Sequence, residues 1–478
     1  MNPKALQHIF VAVLALLIAA CGGGSGGGDT DPGPGPIGGI DRGGIAAQGT
    51  ITGFGSIIVN GTTFDTSQAQ IVYDGEVVAE SRLRVGQIVT VIGTTGESGN
   101  SADTVTFDDS VEGPIDSIDL AAEQIVVLGQ TVIIDGATIF DDDIPGSALD
   151  GLNVGDVIEV SGFTDANGNI IASRIEIDDD GGEFEITGTV SAADNVAMTF
   201  TINALTIDYS GATLEDFNAA MPADGDIVEA KGTQFGANGE LLATTVERKG
   251  DFDDDFDEDD EIEIEGFITR FVSATDFDVA GIPVTTDANT QYEGGTSADL
   301  TLDVRVEVEG NFDANGVLVA REVDFEDEGS VRIDALVDEV DAAAGTVTVL
   351  GIAVQIDSQT SMEDNSDADL RVFTINDINS GDWLEVRGSE IAPGTLLATQ
   401  VERDDADDES RIRGIATDVA DPSFRILGLD IDTDANTEFD GTDSATFFAT
   451  AAGQLVQADG NLNGDRFLAT QVEFEDDD

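Results

Sequence analysis

The chain has one histidine, His8, and one cysteine, Cys21, in 478 residues. Both lie within the first 21 positions, so nothing downstream can build a Ser-His-Asp or Cys-His centre, a histidine-based zinc site or a disulfide framework. Lysine is reduced to Lys4, Lys231 and Lys249, and tryptophan to Trp383. Against 19 basic residues stand 97 acidic ones, a formal net charge of −78. Such a chain repels nucleic acid and anionic headgroups, which excludes the usual ligand of small basic β-barrels, and it attracts cations or basic partners. A surface this acidic and this poor in lysine is also what proteins working in saline water carry. Apolar residues still make up 41%, enough to bury cores.

The longest apolar run is Ile9 to Ala20, 12 residues; spanning a bilayer takes about 20. Preceded by Lys4, it reads as the h-region of a signal peptide over residues 1–20. It ends in Ile18-Ala19-Ala20-Cys21, which resembles the bacterial lipobox. That resemblance implies cleavage between Ala20 and Cys21, a lipid on Cys21 and a location in the cell envelope, anchored in a membrane. Gly22, where an Asp would retain the protein in the inner membrane, favours the outer one. Residues 21–44 hold the lipidated cysteine and a Gly/Pro linker, with Pro32, Pro34 and Pro36 stiffening a coil of about 25 Å r.m.s. reach.

Beyond residue 44 one pattern recurs six times. A strand ends in glycine at Gly93, Gly162, Gly232, Gly310, Gly388 and Gly460, 69 to 78 residues apart. Each is followed by two alternating runs around a polar turn, as in DANGNIIASRIEI from Asp165 and DANGVLVAREVDF from Asp313. Asn-Gly there predicts a type I′ hairpin. Each copy opens on a glycine (Gly49, Gly113, Gly188, Gly266, Gly414) or, in the fifth, Ala335. An Asp-x-x-Thr turn recurs at Asp135/Thr138, Asp287/Thr290, Asp357/Thr360 and Asp434/Thr437. These anchors divide the chain into modules at 45–110, 111–182, 183–260, 261–330, 331–410 and 411–478.

Period-two alternation and the absence of long helical patterns make each module all-β. Five strands in about 70 residues, with room for one helical turn between the third and fourth, predict a small closed barrel of OB type. A small sandwich or SH3-like barrel is the alternative. Modules of this kind are expected to contact mainly their sequence neighbours, as beads on acidic links.

The opening Gly, the Asp-x-x-Thr turn, the Leu-x-Val-Gly-Asp-x-Val-x-Val-x-Gly stretch (Leu152 to Gly162) and the Gly-x-Leu-x-Ala hairpin resemble the module called domain of unknown function 5666. That family occurs in tandem in exported lipoproteins. The resemblance covers residues 45–478 and implies fold and location but no chemistry.

Candidate sites are few. Acidic runs sit at the module boundaries, and two are dense enough to offer calcium its hard oxygen ligands. They are Asp253, Asp254, Asp255, Asp257 and Asp259 after module 3, and Asp404, Asp405, Asp407 and Asp408 after module 5. Neither has EF-hand spacing, and solvated linkers explain them equally. The Asp-x-Asn-Gly segments at Asp165 and Asp313 begin like calcium loops but lack the later ligands; a hairpin accounts for them. Phe140, Tyr292, Met362 and Phe439 recur two residues after the turn threonine, or its counterpart, as core plugs. With 97 acidic residues, a carboxylate pair of glycosidase spacing occurs by chance. The sequence therefore reads as a non-enzymatic envelope lipoprotein whose acidic modules serve as spacer or binding array for cations or envelope polymers. A calcium-dependent adhesin or matrix- or polysaccharide-binding protein is the first alternative, a carboxylate-based glycan hydrolase the second.

Overall fold

A computed structural model describes residues 44–475, apart from 97–98, 179–181, 250–259, 327–328, 330 and 408. Module 2 shows the plan. Its strands are Val111–Asp119, Gln124–Val127, Gln130–Ile133, Val157–Thr164 and Ile170–Ile177. The first three form an antiparallel meander, the third pairs in parallel with the fifth, and the fourth lies between the fifth and the first. The order 1-2-3-5-4-1 closes a barrel, as an OB-type fold requires. Modules 1, 3, 4, 5 and 6 close in the same order. Alternate residues fill each interior, for example Ile158, Val160, Val132 and Ile175 in module 2. A fully buried side chain of this size contributes about 1.5–3 kcal/mol. Between the third and fourth strands lie turns and short strands that pair in parallel with the fifth, such as Ile139–Phe140 in module 2, and in module 6 also a helix, Ser444–Thr450, capped by Asp443 accepting from the Thr446 N–H.

The recurrent glycine does not end its strand. The fourth strand continues past it, and the register to the fifth strand slips there in all six modules. Each is a β-bulge. A Cβ would meet the facing strand's carbonyl oxygen at 2.1 Å for Gly93, 2.4 Å for Gly162, 2.2 Å for Gly310 and 2.0 Å for Gly388. Opposite Gly162, Gly310, Gly388 and Gly460 stand Ala172, Ala320, Ala398 and Ala469. Their carbonyls accept the hydroxyls of Thr138, Thr290, Thr360 and Thr437 at 2.7–2.8 Å. Three sequence anchors thus converge on one point of the barrel wall: bulge glycine, facing alanine and turn threonine.

The hairpin differs from the predicted type I′. Gly168, Gly239 and Gly316 have positive φ, but Asn167, Asn238 and Asn315 do not. Gly168 N–H donates to Asp165 O and Asp165 N–H to Asn169 O, a type I turn closed by a left-handed glycine. Asp165 Oδ1 accepts from the N–H groups of Asn167 and Asn169 at 2.8 Å each, and this stabilises the turn without any ion.

The bead arrangement is overturned. Modules associate in pairs through their first strands, and the pairs are 1·4, 2·3 and 5·6. Val111 and Glu112 face Ile186 and Glu185 across an antiparallel seam, and Arg332, Ile333 and Asp334 face Arg413, Ile412 and Arg411 across another. Module 1 pairs instead with module 4, in parallel, Ile45 to Gln48 against Glu261 to Ile264. Main-chain hydrogen bonding drives this: a barrel's first strand offers free N–H and C=O groups where it is not covered, and a second first strand satisfies them.

Candidate functional site

An open cleft of about 990 Å³ lies where module 2 meets modules 5 and 6. Its floor is the outer face of the 5·6 sheet. There Glu402, Glu385, Asp334, Arg411 and Asp459 stand in one cross-strand row. Gln400, Arg387, Arg332 and Arg413 stand in the next but one. Period-two alternation puts both rows on the same face, so the side chains interlock. Arg332 donates through Nη2 to Glu385 Oε2 at 2.7 Å and through Nε to both oxygens of Asp334 at 3.1 Å. Arg387 Nε donates to Glu385 Oε1 at 2.6 Å, and its Nη1 to the Gly136 carbonyl across the cleft. Arg411 bridges Asp334 at 3.4 Å and Asp459 at 2.9 Å.

Electrostatics separate neighbouring carboxylates here. Burial raises Glu385, but Arg387 and Arg332 outweigh it and hold the group below the usual carboxylate range. Burial, then Glu385 and Asp404, push Glu402 well above it; Glu402 accepts from the Asn365 and Gln400 side-chain amides. Asp404 is raised to about 7 by burial and by Glu385 and Asp334. Two carboxyls that face each other on adjacent strands, Glu385 and Glu402, are therefore pushed in opposite directions.

The opposite wall is the Gly136–Phe140 turn and the Gly146–Asp150 loop of module 2. A second side chain ties the two walls. Arg174, 3% exposed, meets Asp141 at 2.7 Å and Glu176 at 3.4 Å in its own module, and Glu363 of module 5 at 3.0 Å. Its Nη1 also donates to Val85 O of module 1.

Of the sequence-predicted residues, Asp404, Asp405 and Asp407 line this cleft. Asp408, the Asp253, Asp254, Asp255, Asp257 and Asp259 run, and Ala20 and Cys21 lie outside the described residues. The arginines and Glu385 and Glu402 were not singled out from sequence. Their signal was present: four of the chain's 19 basic residues fall in the first and fourth strands of modules 5 and 6. Trp383 also lines the cleft but is only 7% exposed, and Tyr73 and Tyr209 are buried, so none of these rings offers a flat platform to a sugar. Among the described residues the tightest carboxylate trio is elsewhere, Glu293, Glu322 and Asp324 of module 4, with oxygens within 4.8 Å of one another. Glu293 faces Asp324 and Gln291 faces Glu322 across paired strands. Burial, then Glu293 and Glu322, raise Asp324 to about 6.

The profile of the family described as Domain of unknown function (DUF5666) matches residues 112–176, 187–247, 265–324, 334–402 and 413–473. Module 1 lies outside those matches, although its strands close in the same order. No curated protein matches the chain. Among solved structures, Drosophila Unr CSD456 is similar at 16% identity and a TM-score of 0.12, over 46% of this chain and 98% of that one. So faint a likeness adds nothing to the fold read from the strand pairing. Five copies covering more than half of its length make this chain a member of the DUF5666 family.

Proposed function

We propose that this is a non-enzymatic, lipid-anchored envelope protein whose six modules form one acidic binding body. Cys21 carries the lipid, the Gly/Pro linker spaces the body from the outer membrane, and the cleft between modules 2, 5 and 6 takes an envelope polymer. The cleft carries the reading. It is large, open, and lined by paired arginines and carboxylates that offer directional donors and acceptors to hydroxyls, amines or ion-bridged polymers. The charge of −78 disfavours nucleic acid and favours cationic or neutral polar ligands.

Two experiments test it. Cys21→Ser should move the protein from the membrane to the soluble fraction, and a variant that stays membrane-bound would refute the anchor. Immobilised residues 22–478 should retain envelope polysaccharide, and Arg387→Ala with Glu402→Gln should lose most of that retention. Equal retention by the double variant would refute the cleft.

One observation favours a second reading. Glu385, held low by its arginines, faces Glu402, pushed up by burial, and such a divergent pair of carboxyls is what a carboxylate-based hydrolase needs. Turnover of any glycan in a polysaccharide panel, abolished by Glu402→Gln, would replace the binding reading with that one.

A further inference from the structure

Modules 1, 2 and 3 meet at a second acid-rich place, far in sequence from the cleft residues of modules 5 and 6. Asp109 sits between the last strand of module 1, Asn100–Phe107, and the first of module 2, Val111–Asp119. It is 1% exposed, and neither of its carboxylate oxygens has a hydrogen-bond partner. Its N–H donates to Asp74 Oδ1 at 3.3 Å. After burial, the charges that act on it most are those of Asp74, Glu159, Glu185 and Glu112.

No cation of the seam bonds Asp109, although Lys231 Nζ donates to the Asp74 carbonyl at 3.4 Å and Arg82 lies beside Glu159. Lys231 is bonded to Glu185 at 2.5 Å and to Glu229 at 3.2 Å. Lys249 is shared among Asp108, Glu229 and Glu247. Arg82 reaches Glu159 at 3.7 Å. An ionised carboxylate buried without partner costs several kcal/mol, and the compensating charge has to be a proton or a cation. The surrounding donors are oxygens only, with neither nitrogen nor sulfur, which is the ligand chemistry of a hard divalent ion that tolerates irregular geometry.

We infer that Asp109, with Asp74, Glu112 and Glu159, forms a calcium site that joins modules 1 and 2. The carboxylates are not drawn together as a closed cage: only the Glu293 trio approaches within 4.8 Å among the described residues. Binding therefore pulls the flexible glutamates inward onto the fixed Asp109, and the ion bridges two barrels that otherwise repel at this seam. The Glu293 trio lacks this motive, because Glu293 is exposed and water solvates it. This site is independent of the polymer-binding reading, since it shares no residue with the cleft.

The test uses residues 22–478 at constant ionic strength. Millimolar calcium should raise the melting midpoint, magnesium should raise it less, and terbium should show emission sensitised by Tyr73, whose hydroxyl donates to Glu159 at 2.9 Å. Asp109→Asn should melt no lower than the parent without calcium, because no ionisable group is then buried without a partner, and should lose the calcium increment and the terbium emission. Glu322→Gln should keep both. Retention of the calcium increment by Asp109→Asn, or its loss in Glu322→Gln, would overturn the site. So would a parent that ignores calcium while its midpoint rises from about pH 8 to about pH 6, since a proton then supplies the charge.

Discussion

Pairs 2·3 and 5·6 share one seam geometry and resolve its charge in opposite ways. In 2·3 the row across the seam runs Glu176, Glu159, Glu112, Glu185, Lys231. In 5·6 the equivalent row runs Glu402, Glu385, Asp334, Arg411, Asp459. At the central step a Glu–Glu contact in one replaces an Asp–Arg contact in the other. The backbone joint is thus indifferent to the side chains it carries; charge is set afterwards, by arginine at the centre of one row and by Lys231 at the end of the other.

The contrast can be broken most severely at its strut. Arg174→Met leaves Asp141, Glu176 and Glu363 without their shared cation and should destabilise the assembly by about 3–5 kcal/mol. Calorimetry should show it as the separation of one transition into two. Next come the bulge glycines. If the two pairs are one backbone design, Gly162→Ala and Gly388→Ala should each cost about 1–3 kcal/mol through the same carbonyl clash, and denaturant midpoints that differ widely would show the designs are distinct.

Smaller effects follow with pH. Burial, then Asp178 and Glu159, raise Glu112 to about 8 from 4.5, and burial is likewise the main cause that raises Glu159 to about 7. The folded state keeps protons that the unfolded chain releases. Their stabilisation is therefore full below about pH 4.5 and lost as pH rises towards 8. Glu112→Gln should flatten that decline and raise the midpoint near neutrality by on the order of 2 °C. Glu385→Gln should do neither, because its arginines already hold it ionised, and should lower the midpoint. At the small end, Arg425→Ala removes exposed pairs with Asp418 and Asp430 in module 6 and should leave the melting curve unmoved.

How much was legible in sequence follows from the range of each constraint. The bulge glycine, the facing alanine and the turn threonine answer to local backbone demands, so they recur at fixed offsets and the six barrels could be read. The hairpin was read correctly as a hairpin but with the wrong turn, because Asp165 captures the N–H of Asn167 and keeps that residue in negative φ. The pairing of modules could not be read. It depends on registers between first strands up to 216 positions apart, such as Ile45 against Glu261, and short runs such as GIAAQG carry no mark of their partner. Asp109 escaped for a different reason. It belongs to the shortest acidic boundary, Asp108-Asp109, and run length alone gives no reason to single it out.

The parallel pairing of modules 1 and 4 sets an order of events. Ala46 belongs to the first module yet is packed in the core of the fourth. Synthesis presents the Gly44–Gly53 strand early, while its partner, Glu261–Ser273, is still about 200 residues away. Until module 4 arrives, the open strand edge of the first module is the assembly's point of exposure to misassociation.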